Sequence, residues 1–151
     1  WIRAGRTKAY CEALRLNGID YDDRLVIQAA GHTFEEGYRA YEKIRQLNES
    51  FSPEKQIQAV VCTSDTLAAA VLSAAGRNGA KLPVTGFDNL PLAELLDITT
   101  VDQRSKDVGR LAFRHLYNAM SYQKRKGSLP APVSEGIPTV PVIRSSCGCT
   151  H

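Results

Sequence analysis

The sequence predicts an α/β domain with a mainly parallel sheet flanked by helices, and three observations predict it. Segments of helical period alternate with short β-branched runs along most of the chain. Local start and stop signals, such as Thr33-Phe34-Glu35-Glu36 and Gly76 to Gly79, separate them. The stretch Val84-Thr85-Gly86-Phe87-Asp88-Asn89-Leu90-Pro91 then carries an acid to the end of an apolar run. Open α/β sheets gather their ligand-contacting groups at that edge.

Taken in order, Trp1 to Leu16 reads as a helix, with Ala9, Tyr10, Ala13 and Leu14 as its apolar stripe and Asn17-Gly18 as its stop. Leu25-Val26-Ile27 gives a short first strand. Thr33 caps the next helix and Glu36 completes a capping box. That helix turns Gly37, Ala40, Tyr41, Ile44 and Leu47 to one side and runs to about Asn48. Ile57 to Cys62 is a second strand, dense in β-branched residues. Thr63-Ser64-Asp65 opens a helix apolar enough, from Leu67 to Ala75, to be covered over much of its surface.

Val84-Thr85 follows Pro83 almost at once and is expected to be too short for a core strand. Leu90 to Leu96 is a short helix with Pro91 in its first turn, and Ile98 to Val101 a small strand. From about Arg104 the pattern Val108, Leu111, Ala112, Leu116, Ala119, Met120 makes an amphipathic helix, followed by Lys124-Arg125-Lys126 as a solvated connector. A Pro- and Ser-rich loop at Ser128 to Ser134 leads to a final strand at Val140 to Arg144, where Pro141 argues for an edge position or an irregular start.

Composition bounds the function. The 151 residues are 43% hydrophobic and 23% charged, ordinary for one soluble domain, with no membrane-length apolar run and no basic-then-hydrophobic leader. A cytoplasmic location is the expectation. A formal charge of +3 gives no bulk electrostatic signature of nucleic-acid binding. Cys11 and Cys62 read as small buried hydrophobes. Cys147, Cys149 and His151 lack a fourth ligand for zinc, and no metal or cofactor is expected.

Three strand ends can share one mouth: the Gly31-His32-Thr33-Phe34 loop, Ser64-Asp65 and Asp88. A polar ligand could be held by the Ser64 hydroxyl, the Asp88 carboxylate and a flat face from His32 or Phe34. Each has a plainer alternative. Asp88 or Asn89 could form an Asx turn, Ser64 or Asp65 an N-cap, Phe34 a hydrophobic staple, and His32 could be only a loop residue. For catalysis the support is thin. Ser64 lacks the G-x-S-x-G elbow, the histidines offer no partner to a nucleophile, and no phosphate-binding glycine loop is present. No catalytic residue is assigned.

The stretches Arg6-Thr7-Lys8-Ala9-Tyr10-Cys11-Glu12-Ala13-Leu14, Cys62-Thr63-Ser64-Asp65-Thr66-Leu67-Ala68, Gly86-Phe87-Asp88-Asn89, Thr99-Thr100-Val101-Asp102-Gln103 and Val142-Ile143-Arg144-Ser145-Ser146-Cys147 together resemble LacI/GalR-type transcriptional regulators. The likeness is to the later part of their periplasmic-binding-protein-like effector domain. The resemblance implies two lobes with a small-molecule effector in the cleft, a sugar being the first expectation with a nucleobase left open, and usually a homodimer whose operator-DNA contacts lie in a domain not in this chain.

By resemblance Arg6 and Asp88 contact the effector, and Ser64 stands where the family commonly has Asn. Asp65 is structural, Gln103 lies near the hinge, and His32 near a position from which an aromatic stacks on the ligand. Residues 1–151 then form a partial effector domain, mostly second lobe, with 1–17 and about 104–122 packing with a first lobe that is largely absent. Helices so placed would expose apolar faces and make the chain adhesive or dimer-forming. A solute-binding protein for a sugar transporter, or a sensor module of a signalling enzyme, are the alternatives, and a metal-dependent hydrolase is a distant one.

Overall fold

The computed structural model describes residues 2–149, with side chains from Gly5 onward. Trp1 and His151, named above, lie outside the described residues. Five helices and four short strands follow one another as α1 (Ile2–Leu16), α2 (Phe34–Ser50), β1 (Val60–Val61), α3 (Asp65–Arg77), β2 (Val84–Thr85), α4 (Pro91–Leu95), β3 (Thr100–Asp102), α5 (Ser105–Lys126) and β4 (Val140–Val142), with single 3-10 turns at Asp23–Leu25, Pro53–Lys55 and Ser145–Cys147.

The strands lie side by side as two pairs. β1 and β2 are parallel, with Val60 opposite Val84, and β3 and β4 are antiparallel, with Val101 opposite Pro141. A single parallel bridge, Thr85 to Thr99, joins the pairs. The expectation of a mainly parallel sheet is thus corrected to an α/β fold with small parallel and antiparallel sheets. Two local causes account for it. The last strand returns antiparallel, at the edge position that Pro141 marked. The expected first strand does not form, because Asp22 caps a 3-10 turn over Asp23–Leu25 by accepting from the Arg24 backbone N–H at 3.0 Å. The second strand is also shorter than its β-branched run. Asn48, at the end of α2, takes the Ile57 N–H at 2.7 Å, so the ladder starts only at Val60.

β2 has only two residues yet is not too short to serve. The Val60 N–H donates to Pro83 O at 2.9 Å on one side, and the Gly86 N–H donates to Thr99 O at 2.8 Å on the other. Backbone groups satisfied on both flanks let Val84 be fully buried.

α3 is the centre of the core. Leu67, Ala68, Ala69, Ala70, Val71, Ala74 and Ala75 are all buried, so small side chains cover nearly the whole helix surface. Such a surface lets α2 approach closely. A Cβ on Gly37 would overlap the Ala70 side chain, so that crossing requires glycine. Tyr41 and Ile44 continue the α2 face, while Ala40 and Leu47 are half-buried at its margins. The capping box is partly as read. Thr33 accepts from the Glu36 N–H at 3.2 Å, but the Glu36 carboxylate turns back to the Ala30 N–H at 2.7 Å. Cys62 is buried, and desolvation pushes its thiol up to about 12, whereas Cys11 is only half-buried.

α5 is amphipathic as expected but buries none of its residues, with Phe113 69%, Leu116 60% and Met120 60% exposed. Lys124, Arg125 and Lys126 form its last turn and not a separate connector. Cations there suit the negative end of the helix dipole, and Gly127 closes the helix. Among the described residues no helix is long and apolar enough to cross a membrane.

One buried acid ties these pieces together. Asp65, fully buried at the start of α3, accepts from the Leu90 N–H at 2.7 Å and the Thr100 hydroxyl at 2.5 Å. Its own N–H donates to Phe87 O at 2.8 Å. A Cβ on Gly86 would overlap the Asp65 carboxylate, so this approach also requires glycine. Asp65→Ala should lower stability by roughly 1–3 kcal/mol for each donor left unpaired. Asp65→Asn, which keeps one acceptor oxygen, should lose less. Urea midpoints at constant m-value check both.

Candidate functional site

The site forms where β2 and β3 end. Asp88 leaves β2 through Gly86-Phe87, and its N–H donates to Val101 O at 3.0 Å, which aligns the turn with β3. Its φ of 109° and the φ of 53° at Asn89 fall in the left-handed region. For Asp88 that conformation is one that glycine adopts without strain. An acid held there at a sheet edge is the kind of local strain that surroundings must maintain.

Those surroundings come from distant segments. The Gln103 carboxamide, just beyond β3, donates to Asp88 Oδ1 at 2.5 Å. Arg6 from α1 brings its Nη2 to 3.6 Å from the same oxygen. Its Nη1 donates to Thr63 O, and its guanidinium carbon lies 3.9 Å over the Phe87 ring. The arginine is therefore fixed by a carbonyl, an aromatic face and an acid together. Arg6 and Asp88 remain 21% and 27% exposed, leaving the cluster open on one side. Burial raises the Asp88 carboxyl above its ordinary value, with Asp65 adding to the effect. Arg6, the Gln103 hydrogen bond and His32 act against it.

Of the residues singled out by sequence, Arg6, Asp88 and Gln103 meet directly. His32 is exposed on its loop, within electrostatic reach of Asp88. Phe34 opens α2 and is 48% exposed. Ser64 lies 2% exposed beneath them, its hydroxyl accepting from the Leu67 N–H at 3.3 Å as the N-cap of α3. The Asx-turn alternative does not hold. The Asp88 and Asn89 side chains reach across the chain, to Gln103, Arg6, Asp102 and Arg144, and not to their own turn.

Phe87, Asn89, Asp102 and Arg144 also build this edge; pattern reading gave Asn89 only a candidate Asx turn and the other three no role. Their motifs were visible. Nothing in the spacing, however, reveals that positions 89 and 144 touch.

Among the described residues no group of three or more His, Cys, Asp or Glu side chains could hold a metal ion. The edge offers fixed donors and acceptors: a guanidinium, a carboxylate and a carboxamide. Such a set suits recognition of hydroxyl or N–H groups.

The sequence profile of the periplasmic binding protein-like domain matches residues 1–147. The transcriptional repressor CytR of Escherichia coli K12 is 34% identical over 124 residues, which is 78% of this chain and 34% of that protein. A LacI-family transcriptional regulator from Sanguibacter keddieii superposes with a TM-score of 0.82 at 25% identity, covering 97% of this chain and 53% of that one. The transcriptional regulator CelR in its cellobiose complex gives 0.75 at 25% identity, covering 93% and 41%. The chain thus spans about a third to a half of the length of these three proteins. These relatives are named as regulators of transcription. The chain belongs to the periplasmic binding protein-like domain family, in the form found in LacI/GalR-type transcriptional regulators.

Proposed function

We propose that this domain binds a small polyhydroxylated effector, a sugar, at the Arg6–Asp88–Gln103 edge, and that binding regulates transcription through the rest of the protein. The observation that carries the reading is Asp88 itself. It is held in a glycine-type backbone conformation, partly desolvated, with Gln103 and Arg6 both on one oxygen. Strain and burial of this kind lower stability and gather at ligand sites. The second carboxylate oxygen and the open side of the guanidinium can take effector hydroxyls, with His32 and Phe34 at the mouth. Ser64 supports the site from below. The cellobiose complex of CelR supports a sugar as the class of ligand.

In this reading residues 2–149 are mostly the second lobe of a two-lobe cleft in a cytoplasmic regulator. α1 and α5 pack with the other lobe, which accounts for the unburied apolar residues of α5. An effector that closes the lobes shifts a population of dimers whose DNA-binding heads lie elsewhere in the protein.

Calorimetric titration of the intact protein with a panel of mono- and disaccharides tests the reading. Arg6→Ala and Asp88→Ala should each weaken binding of the sugar that binds by roughly 1–3 kcal/mol. Unchanged affinity in both would remove these residues from the site.

Asp88→Gly separates function from stability. Relief of the left-handed strain should raise the melting temperature of the ligand-free protein, while sugar binding is lost. Charge also contributes. Because the Asp88 pKa is raised on folding, its protonated form is favoured in the folded state. That contribution is fully present below the unfolded pKa and is lost as pH rises through the folded pKa. The advantage of Asp88→Gly should therefore be larger at neutral than at acid pH, as melting curves at the two pH values would read. Residues 1–151 expressed alone should bind a hydrophobic dye and self-associate through the α5 face, and a monodisperse, dye-silent monomer would count against that assignment.

A further inference from the structure

We infer that Asn89 and Arg144 are positioning residues of this site: the Asn89 carboxamide, forked between Arg144 and Asp102, holds the turn that sets Asp88 beside Gln103. The inference deepens the effector reading above and rests on it.

The Asn89 side chain makes no bond to its own turn. Its Oδ1 accepts from Arg144 Nη2 at 3.1 Å, and its Nδ2 donates to Asp102 Oδ2 at 3.3 Å. One amide therefore joins the turn after β2 to the ends of both β3 and β4. Each partner is fixed in turn. Arg144 donates through Nη1 to Ile98 O at 2.7 Å, and its backbone N–H and C=O both bond the Thr99 hydroxyl, at 2.8 and 2.7 Å. The other oxygen of Asp102 accepts from the Arg104 N–H at 2.6 Å. Between Asp102 and Arg104 stands Gln103, the donor to Asp88.

Asn89 thus reaches both sides of the Asp88–Gln103 contact. On one side it shares the left-handed turn with Asp88. On the other it holds the residue preceding Gln103. Its own N–H donates to the Thr100 hydroxyl at 3.3 Å, and the next N–H, of Leu90, donates to Asp65. The turn is anchored to the core by backbone and to the strand ends by side chain. A turn needing only left-handed backbone would be served by glycine. The carboxamide has a separate task, and a planar amide with a donor and an acceptor at opposite corners suits it.

Asn89→Gly separates the two tasks, because glycine keeps φ near 53° without strain and removes only the carboxamide. The intact protein carrying Asn89→Gly, Arg144→Lys or both is compared with the parent by two readouts. The first needs no ligand: the side-chain amide resonances of Gln103, from selectively isotope-labelled glutamine, recorded well below the melting temperature. The second is calorimetric titration with cellobiose and with ribose.

Asn89→Gly should stay folded, shift the Gln103 amide resonances toward those of a solvated glutamine, and weaken binding of the sugar probe about tenfold, one hydrogen-bonded constraint's worth. Arg144→Lys should do the same, since an ammonium cannot fork between Ile98 O and Asn89 as a guanidinium does. The double variant should be no worse than either single one, both changes acting through one amide. Folded single variants with unchanged Gln103 resonances, or effects that add in full, would overturn the inference. If the parent binds neither sugar while Asn89→Gly shifts the Gln103 resonances, the choice of effector fails and the positioning of Asp88 stands.

Discussion

The structure depends on the Asp65 carboxylate. A fully buried acid at the first turn of a largely covered helix is tolerable only if its oxygens are filled, and here the Leu90 N–H and the Thr100 hydroxyl fill them. The positive end of the α3 dipole adds to this. The same contacts decide the geometry of the chain beyond the strands. Asp65 is the first residue of α3, Thr100 is in β3, and Leu90 follows the Asp88–Asn89 turn. A single side chain therefore sets helix, sheet and the turn at the candidate site relative to one another. Gly86 has no Cβ because that carboxylate stands where one would be.

Above this buried anchor the chain turns to exposed and less relaxed chemistry. Asp88 is one layer out from Asp65 and feels its charge, burial and a left-handed backbone together, with Arg6 and Gln103 in opposition. The two acids divide the work. Asp65 has both oxygens filled by the protein, whereas Asp88 keeps one oxygen without a bond to Gln103 or Arg6. A structural acid satisfied in the core and a second acid left partly open at the edge is an arrangement that stabilises the fold and leaves hydrogen-bonding capacity at the candidate site.

The length of the ordered strands follows from the same economy. Two or three residues per strand suffice because side chains finish what the ladders do not. Asn48 takes the Ile57 N–H, the Thr99 hydroxyl bonds the backbone of Arg144, and the Ser146 hydroxyl links Val84 O to the Thr99 N–H, at 2.7 and 2.8 Å. Pro141 of β4 is harmless at an edge where, among the described residues, no further strand needs its missing N–H. α5 has no such covering, and its apolar residues stay at the surface of the domain.

Local chemistry alone determined the helices, their caps and the acid at the end of β2. Thr33 and Ser64 accept from the first turns of the helices they precede, and the small residues of α3 foretell its burial, whereas the end of α5 at Gly127 went unread. Those outcomes depend on neighbours in sequence. Sheet composition and the full membership of the site did not follow, because they depend on pairings between remote positions. Leu25-Val26-Ile27 has strand composition but no partner, and the last strand pairs antiparallel only because of where the preceding loop returns it. Arg6 and Gln103 were named through resemblance, yet their meeting on one oxygen of Asp88, and the contact of Asn89 with Arg144 across 55 positions, arose from tertiary packing. Residue type supplied the donors and acceptors, and the fold decided which of them face each other.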